Sequence, residues 1–393
     1  MRLLYFLDMK WRIKLLSFFY LASIGIILPF LPLLFQARGL TNGQIGMLIA
    51  VGPLVSMLVQ SPWGYLSDRL RTVKKVIMFQ ILMAFLLSFF LFNLDSFYLL
   101  LPASFLFFAF AWPPLPLIDC LTLATAREKG GSFGSYRLWG SLGFAVAALG
   151  AGSVLAVVGI ERVDRIYQGL LLIAFLFAAL AQDAPQAAQP AGLNQLKKLV
   201  ARREVLLFLL LIALINTTNK ANDAFIGIFI RGIGGSEADV GLAWTIGPLS
   251  EVPVFAFSFL FLVRFNELVL LAMAAAIYSM RWFLFSITTD PALISLIQAM
   301  HGLSFGLFYV SAVSYIGKIV PPNLQASGQG LFSTFSGGVA GITGSLLGGY
   351  IMDGFGARFL YTTCSILALV AVGAFLALSQ SQARKTEQTG DNY

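Results

Sequence analysis

The sequence predicts an all-α integral membrane protein with twelve transmembrane helices in two six-helix halves and both termini in the cytoplasm. Three observations predict it. The chain is 58% hydrophobic and 11% charged, with a mean hydropathy of +0.84, whereas soluble domains carry roughly 25% charged residues. Twelve apolar runs reach the about 20 residues that a spanning helix needs. The longest hydrophilic stretch, 183–203, has six of these runs before it and six after it.

The runs cover 13–36, 44–66, 75–94, 98–125, 133–158, 165–182, 204–230, 238–262, 267–288, 291–317, 325–351 and 358–380. The first follows a basic N-terminus, but it is long and many more runs follow it. It reads as a retained helix rather than a cleaved signal. Breaks between runs carry turn chemistry: Arg38-Gly39, Glu128-Lys129-Gly130-Gly131, Gly232-Ile233-Gly234-Gly235, Asp290-Pro291 and Pro321-Pro322-Asn323. Segment seven contains an unusually polar run, Asn216 to Asp223, which suggests a wet face, a local break or the outer mouth of the helix. Segment eleven carries small residues every four positions (Ser333, Gly337, Gly341, Ser345, Gly349), a stripe that permits close packing. Gln325 and Gln329, near its start, are further candidates to reach a cavity. The expected organisation is a first half over 1–182, a cytoplasmic linker over 183–203, a second half over 204–380 and a cytoplasmic tail over 381–393.

The net charge of +8 does not indicate nucleic acid, because the excess lies in short loops between apolar runs. With both termini in the cytoplasm, 18 of the 26 Lys and Arg residues face inward and five face outward, as the positive-inside rule expects. Cys120 and Cys364 lie in separate apolar runs and read as small core residues. One histidine and two separated cysteines hold no metal constellation, and phosphate-binding glycine loops are absent. The expectation is no enzyme, no cofactor and no ATP hydrolysis, so concentrative work falls to an ion gradient.

The remaining three bases, Arg137, Lys220 and Arg281, fall deep in apolar segments with three acids, Asp119, Asp223 and Glu251, and with the single histidine, His301. A charge in hydrocarbon costs several kcal/mol, so such groups face a protein interior or water and mark ion or solute paths. The helix rise puts Asp119 and Arg137 both about 10 Å from the inner surface, where consecutive helices allow an ion pair. Arg137 reaching back to the interface is the alternative. Glu251, Arg281, His301 and Lys220 come out at about 20–24 Å, one level on four helices. Lys220 and Asp223 are three residues apart and share a helix face. Trp139, Trp244, Trp282, Tyr20 and Tyr309 are candidates to stack on a ring-bearing solute, with core packing or interfacial anchoring as the alternative.

Segment two ends in Gly64-Tyr65-Leu66-Ser67-Asp68-Arg69-Leu70-Arg71, followed by Lys74-Lys75. This resembles the G-x-x-x-D-R-x-G-R-[RK] signature of the major facilitator superfamily. The match is partial, because Leu70 and Arg71 stand where the second half of the pattern has its glycine. The resemblance implies that Gly64, Asp68, Arg69 and Arg71 belong to a cluster that latches one conformation. Pro116-Leu117-Ile118-Asp119, with Tyr136-Arg137-Leu138-Trp139-Gly140, further resembles the proton-linked symporters related to lactose permease, especially the phenylpropionate- and nucleoside-permease branches. That implies a major facilitator fold in the cell inner membrane. Solute binding would involve Asp119, Arg137, Trp139, Lys220, Asp223, Arg281 and His301, and proton coupling Glu251, His301 and Asp119. Lactose permease also carries an acid one turn beyond its histidine. Here that position is Ser304, which leaves the proton to another carboxylate, first of all Glu251.

The function expected is secondary active transport: proton-coupled symport of a sugar, nucleoside or aromatic or other organic acid by alternating access, with a monomer sufficient. A proton-coupled exporter or antiporter of drugs or metabolites is the alternative. Segment five lacks the proline of the exporter-type Gly-Pro-x-x-Gly-Gly signature, which disfavours it. A non-transporting solute sensor is a third reading, disfavoured by a tail of about a dozen residues after residue 380.

Overall fold

The computed structural model describes residues 8–130, 132–183, 199, 201–321 and 324–390. Most of the expected linker over 183–203 therefore lies outside the described residues, as do the turn residues Gly131, Pro322 and Asn323 and the last three residues of the tail. Among the described residues every regular element is a helix. Ten stretches are long and apolar enough to cross a membrane, or eleven when one bent pair is taken as a single span.

The first six expected segments become α1 (Met9–Ala37), α2 (Asn42–Leu70), α3 (Val73–Leu91), α4 (Phe97–Ala111), α5 (Pro114–Lys129), α6 (Phe133–Val158) and α7 (Val163–Leu180). Local chemistry sets their starts. Asp8 accepts from the Lys10 N–H at the head of α1. Thr41 and Gln44 form a reciprocal capping box on α2. Ser132 accepts from the Ser135 N–H on α6. The start of α3 is held by Thr72, which accepts from the Lys75 N–H, and by Asp183, whose Oδ1 accepts from the Val73 and Lys74 N–H groups at 2.8 and 3.0 Å. That carboxylate ties the chain just after α7 to the positive end of α3.

Segment 98–125 was expected as one helix, but it breaks at Trp112-Pro113. The reason is covalent. Pro113 and Pro114 have no N–H to give to the carbonyls one turn back. Two carbonyls left open at the break are taken by aromatic donors from other helices: Trp63 Nε1–H donates at 3.0 Å to Ala109 O, which Pro113 cannot bond, and Tyr20 Oη–H donates at 2.5 Å to Ala111 O, since the Leu115 N–H turns to Trp112 O. In hydrocarbon a helix breaks only where its backbone is satisfied again in this way.

The later elements are α8 (Arg203–Gly232), α9 (Glu237–Ala256), α10 (Ser258–Arg264), α11 (Glu267–Ile287), α12 (Pro291–Gln298), α13 (Leu307–Ile319), α14 (Gln325–Ser333) and α15 (Ala340–Gly390), with π-helical turns at Gly302–Gly306 and Thr334–Val339. Three differences from expectation stand out. α9 and α10 replace a straight segment 238–262 and meet at 55°. The polar run of α8 causes no break; Asn216, Thr218, Asn219 and Asn222 are buried. Thr218 accepts from Trp282 Nε1–H at 3.0 Å, and Asn222 Oδ1 accepts from the Tyr361 hydroxyl at 3.2 Å. The last two segments join without an open loop: α15 runs through a single non-helical residue, Gly356, at φ 80 and ψ 172. Gly supplies a positive φ without the Cβ clash, and the turn divides α15 into two arms, 340–355 and 357–390.

The contacts divide the chain into two compact units, residues 1–189 with 223–245, and 190–222 with 246–393. The short block 223–245 groups with the first unit because its helices press on α1 and α6. A Cβ at Gly241 would lie 2.3 Å from Ala148 O, and one at Gly227 3.2 Å from Pro29 O. Within each unit the same packing recurs. In the first, a Cβ on Gly143 of α6 would meet Phe18 O of α1 at 2.1 Å. In the second, a Cβ on Gly344 of α15 would meet Thr217 O of α8 at 2.5 Å. The first and fifth expected segments of each half thus touch backbone to backbone at a glycine. This contact falls at Gly344, outside the predicted small-residue stripe, whereas Gly337 of that stripe has nothing within 4 Å.

Candidate functional site

The second unit gathers three of the ionisable groups of the apolar segments, buried Arg281 with half-buried Glu251 and His301, into one chain of bonds. His301 Nε2 lies 3.0 Å from Glu251 Oε1, and His301 Nδ1 lies 3.0 Å from Arg281 Nη1. An arginine N–H only donates, so Nδ1 accepts and the ring is the neutral tautomer with its hydrogen on Nε2, pointing at the carboxylate. Histidine therefore joins the acid and the base that sequence placed at one level.

Arg281 is fully buried on α11. It also donates to Gln298 Oε1 and to Ser304 Oγ at 3.4 Å, and its guanidinium lies 4.5 Å from the Trp282 ring centroid. Lys220 is half-buried on α8. Ser304, which stands where lactose permease has an acid, is thus a ligand of the guanidinium. Gln298 was not anticipated. The available signal was its position three residues before His301, on the same face of a helix.

Local backbone explains why these groups meet. The α pattern of the tenth segment ends at Gln298, and a π-turn over Gly302–Gly306 follows His301. Such turns are rare and recur at functional sites. At its head, Gly302 N–H donates to Ser250 Oγ at 2.8 Å. A Cβ on Gly302 would stand 1.9 Å from Ser250 O, so only glycine lets α9 come close enough for Glu251 to reach His301.

The first unit holds the second pair. Arg137 Nε lies 3.2 Å from Asp119 Oδ1, each side chain about a third exposed at 29% and 33%. The expected ion pair between consecutive segments is present. Trp139, two residues on, instead meets Trp11 edge-on at 5.2 Å, with Lys14 Nζ 5.9 Å from its ring. Asp223 is half-buried on α8. Tyr20 and Trp282 serve as hydrogen-bond donors in the packing, and Trp244 packs near Phe144 at 6.0 Å. Gln325 and Gln329 bond to backbone carbonyls of the preceding segment, which is a structural role.

The signature at the end of α2 ends in strain. Asp68 and Arg69 are exposed and Gly64 touches nothing within 4 Å. Arg71, standing where the family pattern has its glycine, caps the helix at φ 52 and ψ 39. It is the one non-glycine residue with positive φ among the described residues. The pattern's glycine therefore marks a left-handed helix end that this chain keeps without the glycine.

Apolar helices with bonded charges between them define a multi-pass membrane protein with a polar path, and the family and relatives it matches are transporters rather than enzymes. The chain belongs to the MFS_1 like family, whose profile matches residues 10–363. It is similar to the maltose permease of Geobacillus stearothermophilus, with 28% identity over 383 residues covering 96% of this chain and 97% of that one. It is similar also to the "Probable 3-phenylpropionic acid transporter" of Escherichia coli (strain K12), with 26% identity over 306 residues covering 76% and 80%. Its fold matches the crystal structure of the nucleoside transporter NupG at a TM-score of 0.85, with 19% identity, covering 95% of this chain and 99% of that one.

Proposed function

We propose that the protein is a proton-coupled symporter that imports a small organic solute, with Glu251 as the proton carrier. The observation that carries this reading is the Glu251–His301–Arg281 chain at 3.0 Å per link. A buried carboxylate is poised between two influences: burial favours its neutral form, and nearby cations favour its charged form. Ionised, Glu251 accepts the Nε2–H of His301. Protonated, it no longer needs that donor, and the imidazole is released to a solute hydroxyl, carbonyl or carboxylate. Proton and solute are then linked through one ring. Arg281 fixes the tautomer and, being held by Gln298 and Ser304, stays in place through the cycle. The solutes for which the relatives are named, maltose and 3-phenylpropionic acid, support a small organic solute of either class.

The test is uptake by liposomes that contain the purified protein, for labelled sugars, nucleosides and aromatic acids, with and without an inward proton gradient. Accumulation that a protonophore abolishes supports the reading. Accumulation indifferent to the protonophore overturns it.

A further inference from the structure

His301, Phe305 and Tyr309, the last of them near the start of α13, form a row of rings at every fourth position. The rings of His301 and Phe305 are parallel, with centroids 5.1 Å apart and an interplanar angle of 5°. Phe305 and Tyr309 continue the row at 5.8 Å and 26°. A spacing of four places all three on one helix face. Tyr309 is met edge-on by Phe332 of α14 at 5.8 Å and by Phe255 of α9 at 6.3 Å. Phe332 is buried, whereas Tyr309 is 43% and Phe255 38% exposed, so the row is backed on one side and open on the other.

Such a row on a spanning helix ordinarily faces lipid. Its first ring argues against that here, because His301 is bonded to Glu251 and Arg281, and bonded charges at depth face an interior or water. The open rings thus continue from a polar cluster along the same face.

We propose that Phe305 and Tyr309, with His301 at their head, form a platform that selects solutes carrying a flat unsaturated ring with a polar edge, such as an aromatic acid or a nucleobase. This rests on the reading of Glu251 and His301 as the solute site. The rings of the row are too close to each other to admit another ring between them. What they offer is edges and the outer faces. Ring edges carry partial positive charge and prefer the π-face of another ring. A saturated sugar has no such face. The polar edge of the solute would then meet His301 and Glu251, one turn from Phe305.

The test is direct binding of 3-phenylpropionate, uridine and maltose to the purified full-length protein by calorimetry, with no proton gradient. At least one ring-bearing probe should bind, with maltose about tenfold weaker or worse. Phe305→Leu should weaken that probe about tenfold. Phe305→Tyr, which keeps the ring, should bind it like the parent. Tyr309→Leu, at the exposed end of the row, gives the same readout should Phe305→Leu fail to fold. Binding of maltose as tight as that of the ring probes, binding of neither ring probe, or unchanged affinity in a folded leucine variant would overturn the proposal. The measurement uses no proton gradient, so loss of gradient-driven accumulation leaves it standing. Tight maltose binding with intact coupling would remove only the ring selection.

Discussion

Nη1 of Arg281 lies 3.0 Å from Nδ1 of His301, and that one contact assigns the proton on the other side of the ring. The guanidinium is also bonded to Gln298 and Ser304 and covered by Trp282. Lysine has neither the planar fork nor the reach to replace it. Arg281→Lys should lower stability by about 3 kcal/mol, in the range for breaking a buried charge network, and should leave imidazole NMR signals of both tautomers where the parent shows one. Denaturant unfolding and nitrogen-15 histidine spectra check the two parts.

Asp119 and Arg137 are each about a third exposed, so water screens their pair. A double-mutant cycle with Asp119→Asn and Arg137→Gln should give a coupling of about 1 kcal/mol in thermal stability. If both groups touch solute, solute affinity should fall in each single variant and not return in the double.

Arg71 holds a left-handed conformation that costs a residue with a Cβ about 1–2 kcal/mol. Arg71→Gly restores the residue of the family pattern and should stabilise the protein by up to about 1 kcal/mol, after the entropy that glycine adds to the unfolded chain. A raised melting temperature checks this. A lower one would mean that the Arg71 side chain makes contacts worth more than the strain.

Trp63 Nε1 satisfies a carbonyl that Pro113 sets free. Trp63→Phe keeps an aromatic ring but removes the donor. It should destabilise by about 1–3 kcal/mol, the penalty for a buried unpaired carbonyl. Pairing it with Pro113→Ala, which restores an N–H to the turn, should recover part of the loss. A cycle of melting curves on the four proteins measures it.

How much was legible in the sequence follows from these residues. Hydropathy marks spanning segments because lipid forces each of them to be helical and apolar, and the common level of Glu251, Arg281 and His301, which meet in the structure, followed from helix rise alone. The pairing of Asp119 with Arg137 was legible for the same reason, since consecutive segments at equal depth are neighbours. Two features were not. Helix rise carries no rotation about the axis, so nothing indicated that His301 would stand between Glu251 and Arg281, nor that Gln298 would join them. The break at Trp112-Pro113 was written in Pro113 and Pro114 themselves, but that Tyr20 and Trp63 reach the opened carbonyls is a tertiary fact. The small-residue stripe of segment eleven gives the spacing of a packing face, with Ser345 buried, but not which glycine, here Gly344, meets the backbone of Thr217.

The central claim is that Glu251 carries the coupled proton. The direct measurement compares two fluxes in liposomes containing Glu251→Gln: solute exchange at equal pH on both sides, and accumulation driven by an inward proton gradient. The account predicts that exchange persists while gradient-driven accumulation is lost, because a permanently neutral side chain leaves the solute site formed but has no proton to release. Accumulation by Glu251→Gln at the parent level would contradict it and leave the Glu251–His301–Arg281 chain as architecture.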